Sequence, residues 1–412
     1  MSEPAGHRCR ICTGTPVPVH SFGMQPIANA FRPAAVSAAD TYRFELAVSV
    51  CPQCGTVQLI DQPDREQMFH GEYAFFTGTS RAMTEHFARF AAWVRDEHLR
   101  GDDPLVVEIG SNDGTLLANF QQWNIRHVGV EPSANVARAA QARGIPTEVR
   151  FFDADAARAI VATHGQASAF IAANVMCHIP YLHSVVEGID LLLGEDGIVA
   201  FEDPYAGDVL AKGSYDQFYD EHVFLFSLHS VAAVFARHGF ELVDVQPQMT
   251  HGGSMRYVLA RTGKRTPTAA VREYLDREVA QRITDPARWK EFGRRCEASK
   301  QALVSLLRDL KAAGKTVAGY AATSKSTTIL NYCGIGPDLI AFISDTTPIK
   351  HGTVTPGTGI PVVPRAAFGP PYPDYAVLFG WNHETEIRAK EQEFVAGGGR
   401  WIRFFPDVEI VS

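Results

Sequence analysis

The chain lacks any apolar run long enough to span a bilayer, and its first residues, MSEPAGHRCR, do not form a charged and apolar secretion leader, so a cytoplasmic protein is expected. Cysteine is scarce. The seven cysteines are an odd, unevenly spaced set, which excludes a disulfide framework. An excess of basic charge is also missing: 38 Lys and Arg stand against 46 Asp and Glu, a net charge of -8. That balance argues against a nucleic-acid partner or an anionic membrane surface. What remains is 46% apolar and 20% charged, the composition of a globular protein, and 412 residues suffice for two or three domains.

Four of the cysteines form two C-x-x-C pairs, Cys9 with Cys12 and Cys51 with Cys54. Each pair can give two thiolates to one tetrahedral ion, as the knuckles of a zinc ribbon do, and four protein ligands leave no open position. A structural Zn2+ is therefore expected in an N-terminal module over residues 1–66. Cys177, Cys296 and Cys333 read as small apolar residues. The segment MFHGEYAFFTGTS that follows is aromatic and has no clean period. It suits either a loop over a pocket or the packing of two domains, with Tyr73 and Ser80 its notable polar members.

From Leu105 the pattern alternates strand and helix, and a doubly wound parallel sheet is expected over residues 67–262. Its first strand, PLVVEIG, runs into a glycine loop, G-S-N-D-G, that is not the G-x-G-x-x-G of a dinucleotide cradle. Glu108, Gly110, Asn112, Asp113 and Gly114 lie there, Glu131 and Pro132 end the next strand, and Asn174 ends the fourth. Acids at strand ends without a phosphate cradle suit the ribose and cationic sulfonium of S-adenosylmethionine (SAM). An insertion after the fifth strand, SYDQFYDEHVFLFS, packs polar and aromatic residues at a density that favours a cleft over a core. His222 is the candidate general base, with Glu221 or Tyr219 to orient it or the substrate, and His178 lies at the same rim.

Residues 263–412 begin with charged amphipathic helices broken at Asp285-Pro286 and continue as a second, smaller Rossmann-like α/β unit. Its first strand opens into Thr323, Ser324, Lys325 and Ser326, an anion-binding pattern at a helix start without P-loop spacing. Ser324, Lys325, Asp345 and Lys350 are substrate-binding candidates, as are Ser254 and Arg256 of the HGGSMRY segment.

The C-x-x-C pairs, the EIGSNDG loop, the NVMCHI strand end, the YDEH segment and the HGGSMR and GYAATSKS segments together resemble the zinc-containing, SAM-dependent C-methyltransferases of deoxysugar biosynthesis. The likeness extends over essentially the whole chain. It is nearest to enzymes that methylate C-3' of dTDP-linked 3-amino-4-keto sugars, such as that of the tetronitrose pathway. The resemblance implies that Tyr73, His178, Tyr219, Glu221 and His222 line one active site, with His222 the base that forms an enolate beside the C-4' ketone. It also implies a C-terminal domain that helps to bind a dTDP-4-keto sugar, here a 3-amino-2,3,6-trideoxy one. A SAM-dependent O- or N-methyltransferase of a small metabolite is the alternative, and it would need no such base.

Overall fold

The computed structural model describes residues 7–34, 42–64, 68 and 76–411, so Tyr73 lies outside the described residues. Three sheets carry the architecture. At the N-terminus, Val17–Pro26, Arg43–Val50 and Val57–Leu59 form an antiparallel meander. A fourth strand, Phe224–Leu225, reaches it from the insertion of the central domain.

The central sheet has seven strands in the order Phe240–Gln248, Ser254–Arg261, Leu193–Pro204, Ala167–Ala173, Leu105–Ile109, Arg126–Val130 and Thr147–Glu148. All its pairings are parallel except those made by Ser254–Arg261. The order of the strands reverses at Leu105–Ile109, which begins the sheet in sequence but pairs with the second and fourth strands. The crevice for a ligand therefore opens beyond its carboxyl end. Leu105–Ile109 is buried at every position, which explains its continuous apolar run with only Glu108 interrupting.

The C-terminal sheet runs Val362–Pro364, Ile343–Asp345, Val317–Tyr320, Tyr375–Leu378, Arg400–Arg403 and Glu409–Val411, parallel until the last strand. The long helix Pro286–Ala312 leads into it. Asp285 caps that helix by accepting from the Ala287 amide at 2.8 Å, and Pro286 occupies its first turn, where a missing N–H costs nothing.

The modules do not sit apart like beads. Cys9, Ile11, Cys51 and Cys54 belong to the same apolar cluster as Val107, Phe170 and Phe201 of the central sheet. Phe22, Phe44 and Leu46 share another with Trp289, Phe292 and Leu303 of the long helix and with Ile343 and Val377 of the C-terminal sheet. The charged amphipathic helix thus has an apolar face that ties two sheets together. Among the described residues, no helix is long and apolar enough to cross a membrane.

Candidate functional site

The four N-terminal thiols converge. The sulfur atoms of Cys9, Cys12, Cys51 and Cys54 all lie within 4.8 Å of one another, with Cys9 to Cys54 at 3.5 Å and Cys12 to Cys51 at 3.4 Å. A tetrahedral zinc with bonds of about 2.3 Å needs sulfurs about 3.8 Å apart, so the donor set fits the ion. The Ile11 carbonyl accepts from His183 Nε2 at 2.7 Å, and the Cys12 carbonyl accepts from Arg237, so the knuckle is also bolted to the central domain.

Beyond the carboxyl ends of the central sheet lies a cavity of about 970 Å³, walled by all three modules. One half is built on the glycine loop. Gly110 has a φ of +60°, and a Cβ there would lie 2.3 Å from the Val175 side chain, so only glycine lets the loop pass. Glu131 accepts from the Asn112 amide at 3.0 Å and the Ser133 amide at 2.7 Å, which aims its carboxylate along the cavity wall. Asn174, held at a φ of 58°, also lines the wall, and its buried Oδ1 meets no donor among the described residues. Ser80 caps the helix Arg81–His98 through the Met83 amide at the same edge. These features fit SAM: a carboxylate for ribose hydroxyls, an orphaned amide oxygen for the ammonium, and a loop that permits close approach.

Two of the three acids expected at this site do not reach it. Glu108 is fully buried behind the loop, and burial first, then the nearby Glu131 and Asp113, raises its pKa well above the carboxylate range. Asp113 accepts from the Gly78 amide at 2.9 Å and from Thr115 at 2.7 Å, so it fastens the segment before the helix instead of facing a ligand. Gly114 likewise serves packing, its α-carbon set against Ile145 and Ala140. Of these three acids, only Glu131 lines the cavity.

The other half of the cavity belongs to the insertion. His222 Nδ1 lies 2.7 Å from the Gln217 carbonyl, and because a carbonyl only accepts, Nδ1 carries the hydrogen. Nε2 therefore holds the lone pair and accepts from the Tyr219 hydroxyl at 2.9 Å. Burial, followed by the neighbouring His178 and Lys325, pushes His222 well below the ordinary imidazole pKa, and burial takes His178 to about 4. Both rings are neutral near pH 7. They stack with centroids 5.3 Å apart and planes 26° from parallel. Cys177, His178 and His222 lie close enough together to suggest a second metal, but both ring nitrogens of His222 are already engaged, Nδ1 by the Gln217 carbonyl and Nε2 by the Tyr219 hydroxyl.

The density of the insertion has a different cause from the one expected. Tyr215, Asp216 and Gln217 are buried away from the cavity as a junction between modules. Asp216 accepts from Trp381 Nε1 at 2.6 Å, Gln217 donates to the His251 carbonyl, and Thr328 donates to the Phe218 carbonyl. Trp381 also accounts for Gly252, where a Cβ would stand 2.0 Å from the indole.

The C-terminal candidates Ser324, Lys325, Asp345 and Lys350 all line the cavity. Lys325 donates to the His251 carbonyl at 3.0 Å, and Lys350 to the Ala322 carbonyl at 2.7 Å. Asp345 accepts from the Ala322 and Thr347 amides, each at 2.7 Å. Burial lowers the pKa of both lysines, and Asp216 partly offsets this for Lys325.

Ser254 and Arg256 are not at the cavity. Ser254 donates to the Thr250 carbonyl at 3.0 Å. Arg256 is committed to Glu202, with Nε to Oε1 at 2.7 Å, and lies over the Phe90 ring at 4.1 Å. His86 meets the other Glu202 oxygen at 2.6 Å, so a buried triad pins the helix Arg81–His98 to the sheet. Glu202→Ala is expected to strand the arginine and to destabilise the protein by about 3–5 kcal/mol. Urea unfolding followed by circular dichroism reads this, and an unchanged midpoint would show that the triad contributes nothing.

Several lining residues were not among the candidates named from the sequence. Asn29 comes from the zinc module, Phe151 and Phe152 from the loop after Thr147–Glu148, and His251 and His383 from turns. The paired phenylalanines after a short strand were the one legible hint of a platform for a flat ring.

Comparison with known families gives three consecutive matches: a zinc binding domain over residues 9–69, a methyltransferase domain over 75–245, and a C-methyltransferase C-terminal domain over 249–406. A curated relative, C-methyltransferase NovU of Streptomyces niveus, is 35% identical over 409 residues, covering 98% of this chain and 96% of NovU. Solved structures similar to part of the chain include magnesium protoporphyrin IX methyltransferase ChlM of Synechocystis PCC 6803 with bound SAM. It is 14% identical, with a TM-score of 0.33, over 43% of this chain and 79% of that one. CcbJ methyltransferase of Streptomyces caelestis is 12% identical, with a TM-score of 0.33, over 42% and 89%.

Proposed function

Since the chain belongs to the SAM-dependent C-methyltransferases, with a zinc-binding module at its N-terminus, we propose that it methylates C-3' of a dTDP-linked 3-amino-2,3,6-trideoxy-4-keto sugar. The observation that carries this reading is the Tyr219–His222 pair. A neutral imidazole with a defined lone pair, buried in a cavity beside a phenol, suits removal of a proton from carbon next to a ketone.

SAM, when bound, supplies an electrophilic methyl group. Glu131 and Asn174 would hold its ribose and amino groups, with Gly110, Asn112, Pro132 and Ser80 shaping the wall. Across the cavity, His222 Nε2 takes the C-3' proton once the Tyr219 hydroxyl turns from it to the ketone oxygen. The phenol and neutral His178 are then placed to donate to the developing enolate oxygen. Glu221 faces the sugar's amino group, and Ser324, Lys325 and Lys350 face the anionic end of the nucleotide. Because both sets of residues line one cavity, its wall would orient donor against acceptor, which would supply much of the rate in a transfer needing little covalent help.

The test is to incubate the protein with such a sugar in deuterated water without SAM. Deuterium is expected at C-3', and methyl on the same carbon once SAM is added. No exchange, with methyl found on oxygen or nitrogen, would overturn the reading.

A further inference from the structure

The geometry points to Asn29, a residue of the zinc module, as a positioning residue that orients the Glu221 carboxylate in the cavity. Asn29 Nδ2 lies 2.6 Å from Glu221 Oε1. A carboxylate has nothing to donate, so the amide nitrogen must face it, and the amide oxygen must face the other way. There it accepts from the Ser324 hydroxyl at 2.8 Å. One side chain thus links the insertion of the central domain to the first turn of the C-terminal helix Ser324–Cys333.

The backbone beneath it is clamped from the same two sides. The Ala28 amide donates to Asp220 Oδ1 at 2.9 Å, and the Ala28 carbonyl accepts from Thr327 Oγ1 at 2.9 Å. Ala28 is buried, and burial raises the Asp220 carboxyl to about 7. Both main-chain groups of Ala28 are therefore held by side chains of other modules, and Asn29 has little freedom to turn. Its amide enters the cavity wall beside Glu221 and Ser324, which both line it. The zinc module is in this way part of the active site and not only a support for it.

This inference rests on the proposed C-methylation, and three variants separate the two. Asn29→Ala should leave SAM affinity by calorimetry unchanged while kcat for the dTDP-4-keto sugar falls about 10- to 100-fold with little change in KM. Asn29→Asp sets a second carboxylate against Glu221, and their repulsion should move the acid limb of the pH profile upward by about one unit, a shift that a purely structural role does not produce. Near-normal kcat in both variants, or a change in KM alone, overturns the proposal. If the unaltered protein neither exchanges nor methylates the sugar, the functional reading fails. The contact is then judged from thermal midpoints of Asn29→Ala, Glu221→Gln and the double variant, where non-additive shifts support it and additive ones overturn it.

Discussion

Replacing His222 by alanine is expected to lower methyl transfer to a dTDP-4-keto sugar by about 10²- to 10⁴-fold and to abolish deuterium entry at C-3', with SAM affinity unchanged. The expectation follows from geometry before electrostatics. Gln217 fixes the tautomer, so the lone pair sits on the nitrogen that meets Tyr219. Burial then holds the ring neutral far below its ordinary pKa of 6.5. The sign matters for the pH profile. A base with a depressed pKa stays deprotonated as the pH falls, so the acid limb attributable to His222 should lie well below pH 6.5 rather than at it. Tyr219→Phe should retain more activity than His222→Ala, because it removes a donor but leaves the lone pair. A His222→Ala variant that still exchanged deuterium at the normal rate would move the base elsewhere.

Cys51→Ser should release the zinc and lower the thermal midpoint by about 10 °C or more, since structural zinc sites contribute folding free energy directly and a few kcal/mol shifts a domain by several degrees. The effect is expected to spread beyond the module. Cys51 is wholly buried in a cluster shared with the central sheet. The strand Val57–Leu59 that follows the second knuckle also pairs with Phe224–Leu225, two residues past His222. Metal content by atomic emission and unfolding by calorimetry check this. Zinc loss with an unchanged midpoint would sink the structural role.

The Cys51 and His222 expectations share a cause, in that no module owns the cavity. His222 stands on a loop whose next strand completes the sheet of the zinc module, and Lys325 is anchored to a carbonyl of the HGG turn. The long helix Pro286–Ala312 closes this arrangement by burying Trp289 and Phe292 between them.

The sequence alone determined the elements and the local chemistry. C-x-x-C spacing is set by a single ion, so the four ligands were legible without any fold. The continuous apolar strand with its glycine loop marked the sheet and the SAM half, because a buried parallel strand leaves a pattern along the chain. The YDEH segment was legible as chemically unusual, and Asp285-Pro286 as the start of a helix. Side-chain direction was not. Glu108, Asp113 and Glu131 look equivalent as acids at strand ends, yet only Glu131 faces the cavity, because Asp113 is taken by the Gly78 amide and Glu108 is buried behind the loop. Arg256 read as a substrate-binding candidate until the fold set Glu202 and His86 beside it. Asn29 carried no signal at all. Its partners are Glu221 and Ser324, far along the chain, and only tertiary packing, which depends on distance in space and not on spacing in sequence, brings the three together.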